Sequence, residues 1–182
     1  MSPASGLVPG KYARVELEWR FLLASLPGRI RPATARRIID RYLTGTSLRL
    51  RHISGPEGSQ YKLTQKIPAS QPGPIQGLIT TMYLSGAEHD HLAAALPGTT
   101  LAKTRYSIPP LGIDVFDPPL HGLVIAEAEF ETEAELHAFQ PPGYVVADVS
   151  GDPRFTGGRL ARTSREELIS WLAEYRLPVS PE

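Results

Sequence analysis

The feature that most constrains how this chain can fold is charge placed on every second residue. In VELEWRF, residues 15–21, Glu16, Glu18 and Arg20 alternate with Val15, Leu17, Trp19 and Phe21, the two-residue period of a β-strand with one ionic and one apolar face. The pattern recurs along the chain. RLR places Arg49 and Arg51 on one face, YKLTQK places Lys62, Thr64 and Lys66 together, AKTRY pairs Lys103 with Arg105, and IAEAEFE pairs Glu127 with Glu129. Leu48 and Leu50, Leu63, and Ala128 with Phe130 fill the intervening positions. An antiparallel sheet with one wetted face accounts for any one such strand, because burying Leu17, Trp19 and Phe21 gains roughly 1.5–3 kcal/mol each while carboxylates stay in water.

The rest of the chain bears on which face looks inward. Prolines and glycines gather in LPGRIRP, SGPEGS, ASQPGPIQG, SIPPLG, FDPPLHG and QPPGY, the punctuation of short elements joined by turns. The segments between them predict strands near residues 14–23, 36–43, 47–54, 60–67, 77–84, 101–108, 112–117, 122–131 and 144–150. Three capping boxes predict helices: Ser85 with Glu88, Thr132 with Glu135, and Ser164 with Glu167. In the last of these, Leu168, Trp171, Leu172 and Tyr175 form an apolar stripe at helical spacing. Such helices need apolar surface, and the strands supply it if their apolar faces point outward. The ionic faces then line the interior of a closed sheet wide enough to hold a ligand. Charges placed there must be paired, bound to metal or neutralised by a ligand, and a polyanion with divalent cations answers both signs.

Composition narrows the classes further. The 182 residues suit one domain, 1–182, with a core over about 14–161 and a C-terminal helix over about 164–175. Nineteen basic residues balance nineteen acidic ones, which argues against a general nucleic-acid binder, so any anion site is local. The absence of cysteine excludes disulfides and thiolate metal sites and leaves hard oxygen ligands. His52, His89, His91, His121 and His137 form no zinc spacing, and His89 and His91 are expected to face solvent. No run approaches the roughly 18 apolar residues of a membrane span, and MSPASGLVPGKYA lacks the apolar run of a signal peptide. A cytoplasmic protein with neither a membrane nor a nucleic-acid partner is the expectation.

Taken in order, ELEWR, RYLTGTSLRLR, YKLTQK, AKTRYSI, DVF, GLVIAEAEF and VADVSGDPRF resemble the CYTH proteins, the triphosphate tunnel metalloenzymes, over nearly all of residues 14–161. ELEWR stands where that family carries ExExK. The resemblance implies an α+β fold, an eight-stranded antiparallel β-barrel with flanking helices. It further implies a metal-dependent phosphohydrolase that takes a triphosphate-containing small molecule or inorganic polyphosphate, with Mg²⁺ or Mn²⁺ as cofactor. On the matching positions Arg20, Arg49, Arg51, Lys62, Lys103 and Arg105 would bind phosphoryl oxygens, and Glu16, Glu18, Asp114, Glu127, Glu129 and Asp148 would hold metal. Tyr42 and Lys66 match a dyad assigned to the attacking water, which requires a lysine whose charge is disfavoured by burial or by neighbouring cations.

The chain also departs from the family. Arg20 replaces a lysine, keeping charge but losing an exchangeable proton. Thr81 and Tyr83, in LITTMYLS, stand where an acidic pair is usual, and Pro153 and Gly157 replace a lysine and an asparagine. Two functions remain open on this reading. One is hydrolysis of inorganic triphosphate or of an organic triphosphate carrying a nucleoside or thiamine. The other is a polyphosphate or phosphometabolite binding module with reduced metal competence. Adenylyl cyclase activity ranks below both, and oligomeric state is left open.

Overall fold

The computed structural model describes residues 9–28 and 35–177. The turn expected over LPGRIRP runs into residues 29–34, and MSPASGLV precedes residue 9, so both extend outside the described part. Among the described residues nine strands are formed: β1 (Arg14–Leu23), β2 (Arg36–Leu43), β3 (Leu48–Gly55), β4 (Gly58–Pro68), β5 (Ile75–Leu84), β6 (Gly98–Ile108), β7 (Leu111–Phe116), β8 (Val124–Phe130) and β9 (Val145–Asp148). The helices are α1 (Gly86–Ala95), α2 (Glu133–Ala138), α3 (Gly157–Leu160) and α4 (Arg165–Glu174). None of the described helices is long and apolar enough to cross a membrane.

The strands follow the order β5-β4-β3-β2-β6-β7-β8-β1, each antiparallel to its neighbour. Residues Arg14 to Leu17 of β1 pair back onto β5 and close an eight-stranded barrel. Beyond an irregularity between Glu16 and Leu17, the same edge of β1 pairs instead with β9 through Phe21 to Leu23. At the closure Gly77 has a φ of +131°, and a Cβ there would lie 2.0 Å from the Ile67 carbonyl oxygen, so only glycine fits.

Register decides which way the charges point. Asp40 lies opposite Arg51, Arg51 opposite Lys62, Arg105 opposite Asp114, Arg20 opposite Glu127, and Glu18 opposite Glu129. Directly opposed residues share a face, so the ionic positions of successive strands meet on the inside. Outside, Phe21, Leu23, Leu111, Ile113, Val124, Ala126 and Ala128 form an apolar cluster with Trp19, Phe130 and Phe139. Helix α2 packs against β1 and β8 there, burying Leu136, whose carbonyl accepts a hydrogen bond from Trp19 Nε1 at 2.9 Å.

Helix α4 makes a different contact from the one its stripe suggests. Leu168 and Leu172 join Leu160 in a second cluster with Leu22, Leu101, Phe116 and Ile125. These four strand residues share the inward parity of Arg20, Lys103, Asp114 and Glu127. One end of the barrel interior is therefore apolar, and the C-terminal helices stopper it. Helix α1 buries no side chain. His89 is also not simply solvent-facing: its ring centroid lies 5.1 Å from that of Tyr61, which stacks on His52, whereas His91 is exposed.

Candidate active site

Above the apolar stopper the barrel encloses a cavity of about 840 Å³. Its walls carry Glu16, Glu18 and Arg20 from β1, Tyr42 from β2, Arg49 and Arg51 from β3, and Lys62 and Lys66 from β4. Lys103 and Arg105 from β6 and Glu127 and Glu129 from β8 complete them. Asp114 and Asp148 are not on this surface. Asp114 is fully buried behind the wall, where it accepts from Arg105 at 2.7 and 2.6 Å and from the Lys103 ammonium. Asp148 accepts from the backbone and hydroxyl of Ser150, at 2.8 and 2.6 Å, and so organises the turn after β9.

The two signs are interleaved in contact. Lys66 Nζ donates to both oxygens of Glu16 at 2.7 and 2.8 Å. Arg20 donates to Glu18 at 2.6 Å and lies 3.7 Å from Glu127, which also accepts from Arg105. At the outer rim Arg14 bonds Glu129 at 2.6 Å. Burial, with the Glu127 charge nearby, pushes the Glu18 carboxyl up to about 7. Burial works against the Glu127 carboxylate as well, but Lys103, Arg105 and Arg20 outweigh it and hold Glu127 well below the usual range. The lysine whose charge burial disfavours is Lys103, in spite of Asp114 and Glu127. Lys66 and Tyr42 share the cavity wall, and Lys66 is engaged by Glu16. Burial, with Asp40 beside it, raises the Tyr42 phenol, so it remains a hydrogen-bond donor at neutral pH.

Asp40 is a site residue that the charge pairs did not bring forward. It is fully buried, accepts from Arg51 at 2.6 and 2.7 Å, and lies 3.5 Å from Arg49 Nε. Its carboxyl would be disfavoured by burial, yet the two guanidinium groups lower it to about 2. The signal was present in IIDRYL, where Asp40 and Tyr42 stand two apart on one face, but a single acid beside a tyrosine is not a charge pair. Two buried guanidinium nitrogens of this site, Arg20 Nη1 and Arg49 Nε, have no hydrogen-bond partner among the described residues. Such donors are what an anion satisfies.

The substituted positions have physical reasons. Thr81 and Tyr83 both face the cavity: Thr81 exchanges a hydrogen bond with Thr64 at 3.2 Å, and the Lys62 ammonium lies 5.0 Å from the centre of the Tyr83 ring. A Cβ at Gly157 would fall 1.9 Å from the Tyr42 hydroxyl, so no asparagine fits there while Tyr42 keeps its place. Pro153 opens a short 3-10 turn capped by Asp152, and Arg154 bonds Asp152 and Glu174, tying that turn to α4.

Glu16, Glu18, Glu127 and Glu129 offer hard oxygen ligands on neighbouring positions of β1 and β8, the donor type that magnesium or manganese takes. Glu18 gives the clearest test, because burial and the Glu127 charge raise its carboxyl even with Arg20 beside it. In kind the donors fit a divalent ion. As arranged, they are engaged by side-chain cations, and among the described residues no three acidic or histidine side chains converge on one point.

No family model matches the chain. An inorganic triphosphatase of Nitrosomonas europaea is 30% identical over 156 residues, covering 80% of this chain and 96% of that protein. The solved structure of the inorganic triphosphatase NE1496 superimposes with a TM-score of 0.54 at 28% identity, covering 82% of this chain and 96% of that one. A second structure of NE1496 gives a TM-score of 0.53 at 29% identity, with 82% and 99% covered. With the eight-stranded closure, the inward charges and a relative at this level of identity and coverage, the chain belongs to the CYTH superfamily of triphosphate tunnel metalloenzymes.

Proposed function

We propose that this chain hydrolyses a phosphoanhydride bond of a triphosphate held inside the barrel. The observation that carries this is the cavity itself, where guanidinium and ammonium groups from β1, β3, β4 and β6 face carboxylates from β1 and β8 across one enclosed space. A water oxygen attacks the terminal phosphorus, the bridging P–O bond breaks, the electron pair leaves with the diphosphate portion, and the water gives up a proton. Arg49, Arg51, Lys62 and Arg105 bind the phosphoryl oxygens and neutralise charge that would repel the attacking oxygen. Tyr42, kept protonated, donates a hydrogen bond to the attacking water, and Lys66 with its partner Glu16 forms the pair across which the proton leaves. A divalent ion held by Glu16, Glu18, Glu127 and Glu129 would supply positive charge at the phosphoryl oxygens.

The test is phosphate release from inorganic triphosphate, nucleoside triphosphates and thiamine triphosphate with Mg²⁺, Mn²⁺ or a chelator. Metal-dependent release is expected, and the chelator should abolish it. Arg51→Ala should weaken triphosphate binding by about 1.5–3 kcal/mol, the worth of a hydrogen bond to a charged group. Lys66→Ala should lower turnover more than affinity; equal losses would make Lys66 a binding contact and remove it from the chemistry. The β5 wall presents Thr81 and Tyr83 without a carboxylate, which favours a second reading, a module that binds triphosphate without cleaving it. Tight binding without phosphate release under every metal condition would establish that reading and overturn hydrolysis.

A further inference from the structure

Two tyrosines stand at the open end of the cavity, and nothing in the phosphate chemistry uses them. Tyr83 and Tyr12 line the cavity while remaining 73% and 78% exposed, so neither ring serves the core. They sit at the same end. On the closing seam Arg14 pairs with Ile79 in antiparallel register, Tyr12 precedes Arg14 by two residues, and Tyr83 follows Ile79 by four. Both therefore lie away from the stopper, which begins at Leu22 near the other end of β1.

The register also connects Tyr83 to the basic wall. Arg51, Lys62 and Tyr83 form one row across β3, β4 and β5. Two strand spacings of nearly 5 Å separate Arg51 from Tyr83 by about 10 Å. The Lys62 ammonium covers one face of the Tyr83 ring, and Lys11 stands 5.2 Å from the centre of the Tyr12 ring, so each tyrosine is flanked by a cation. A triphosphate gripped at Arg51 and Lys62 and pointing its terminal phosphate inward sends whatever is esterified at its other end toward these rings.

Resting on the triphosphatase reading, we propose that Tyr83 and Tyr12 form a stacking site for a flat ring carried by the substrate. The substrate class is then an organic triphosphate bearing an aromatic base, in preference to inorganic triphosphate. Ring stacking needs no particular edge chemistry, so the site accepts a purine, a pyrimidine or a thiazolium-bearing group.

The experiment compares inorganic triphosphate with ATP, UTP and thiamine triphosphate in wild type, Tyr83→Ala, Tyr83→Phe and Tyr12→Ala. KM is measured with metal, and binding is measured by calorimetry in chelator. Tyr83→Ala should weaken the ring-bearing ligands roughly 5- to 150-fold, the range found for losing one stacked base, and leave inorganic triphosphate nearly unchanged. Tyr83→Phe should retain wild-type values, and Tyr12→Ala should show a smaller loss of the same selectivity. Which ring-bearing ligand binds most tightly identifies the source. Equal weakening of inorganic and ring-bearing ligands, or a wild-type preference for inorganic triphosphate, overturns the stacking site. Because calorimetry reads binding without turnover, an inactive protein would defeat the hydrolase reading and still decide this one.

Discussion

Asp40 shows how a single buried side chain holds the proposed phosphate grip in place. It has no contact with the cavity, yet it fixes the Arg51 guanidinium through two hydrogen bonds and stands beside Arg49. A buried carboxylate held to about 2 stabilises the fold at neutral pH by roughly 2 kcal/mol relative to a free one near 3.8. Because the folded value is the lower one, that contribution is complete above about 3.8 and disappears as pH falls through about 2. Asp40→Asn should therefore be less stable than wild type in urea titrations at pH 7, and the gap should close between about pH 3.8 and 2. A gap of constant size across that range would mean that the loss comes from packing and not from charge. The residues that sequence brought to the fore were those in repeating pairs, because a pair at two-residue spacing declares both strand and face. Asp40, alone among Ile38, Ile39 and Tyr42, carried no such declaration. Asp114 sat at an inward parity that sequence could read, but whether it faced the cavity or the wall behind it depended on Lys103 and Arg105 closing over it.

At the level of elements, local chemistry and tertiary packing divide cleanly. All three capping boxes formed, with each Ser or Thr accepting from the amide three residues on and each Glu reaching back, because these bonds are made within four residues. Strand positions were equally local, since turn residues and alternation bound each run. The destination of α4 was not legible. Its apolar stripe is compatible with any apolar surface, and only closure of the barrel turned Leu22, Leu101, Phe116 and Ile125 into an interior end that needed covering. The helix is thus part of the core and not an attachment to it. Leu168→Ala should destabilise the protein by about 2–5 kcal/mol, and Ser164→Ala, which removes only a cap, by about 1 kcal/mol. Thermal melts of the two variants supply the comparison; a Leu168→Ala loss no larger than that of Ser164→Ala would show that α4 packs on the barrel loosely.

For the molecule as a whole, the cavity is neutralised in part from within. Its carboxylates engage Arg20, Lys66 and Arg105, so these groups already have partners when a triphosphate or a metal arrives, while Arg49 and Arg51 are held by Asp40 behind the wall. Glu127 is the sharpest case, because its carboxylate is held strongly ionised between Arg20 and Arg105. A triphosphate arriving without metal must share those guanidinium groups with a fixed negative charge. At about 6 Å and an effective dielectric constant near 20, one such charge opposes each unit of ligand charge by about 3 kcal/mol before salt screening. Replacing Glu127 by glutamine keeps the shape, removes that repulsion and takes one charged partner from each arginine, Arg20 keeping Glu18 and Arg105 keeping Asp114. Glu127→Gln should therefore bind inorganic triphosphate in chelator at least 10-fold more tightly than wild type, although it has lost a candidate metal ligand and should turn over more slowly in Mg²⁺. Calorimetry without metal and phosphate release with metal, on protein whose melting shows it folded, measure the two halves. Weaker metal-free binding by the variant would mean that Glu127 holds Arg20 and Arg105 in their gripping positions, and that the carboxylates organise the anion site even before any metal enters it.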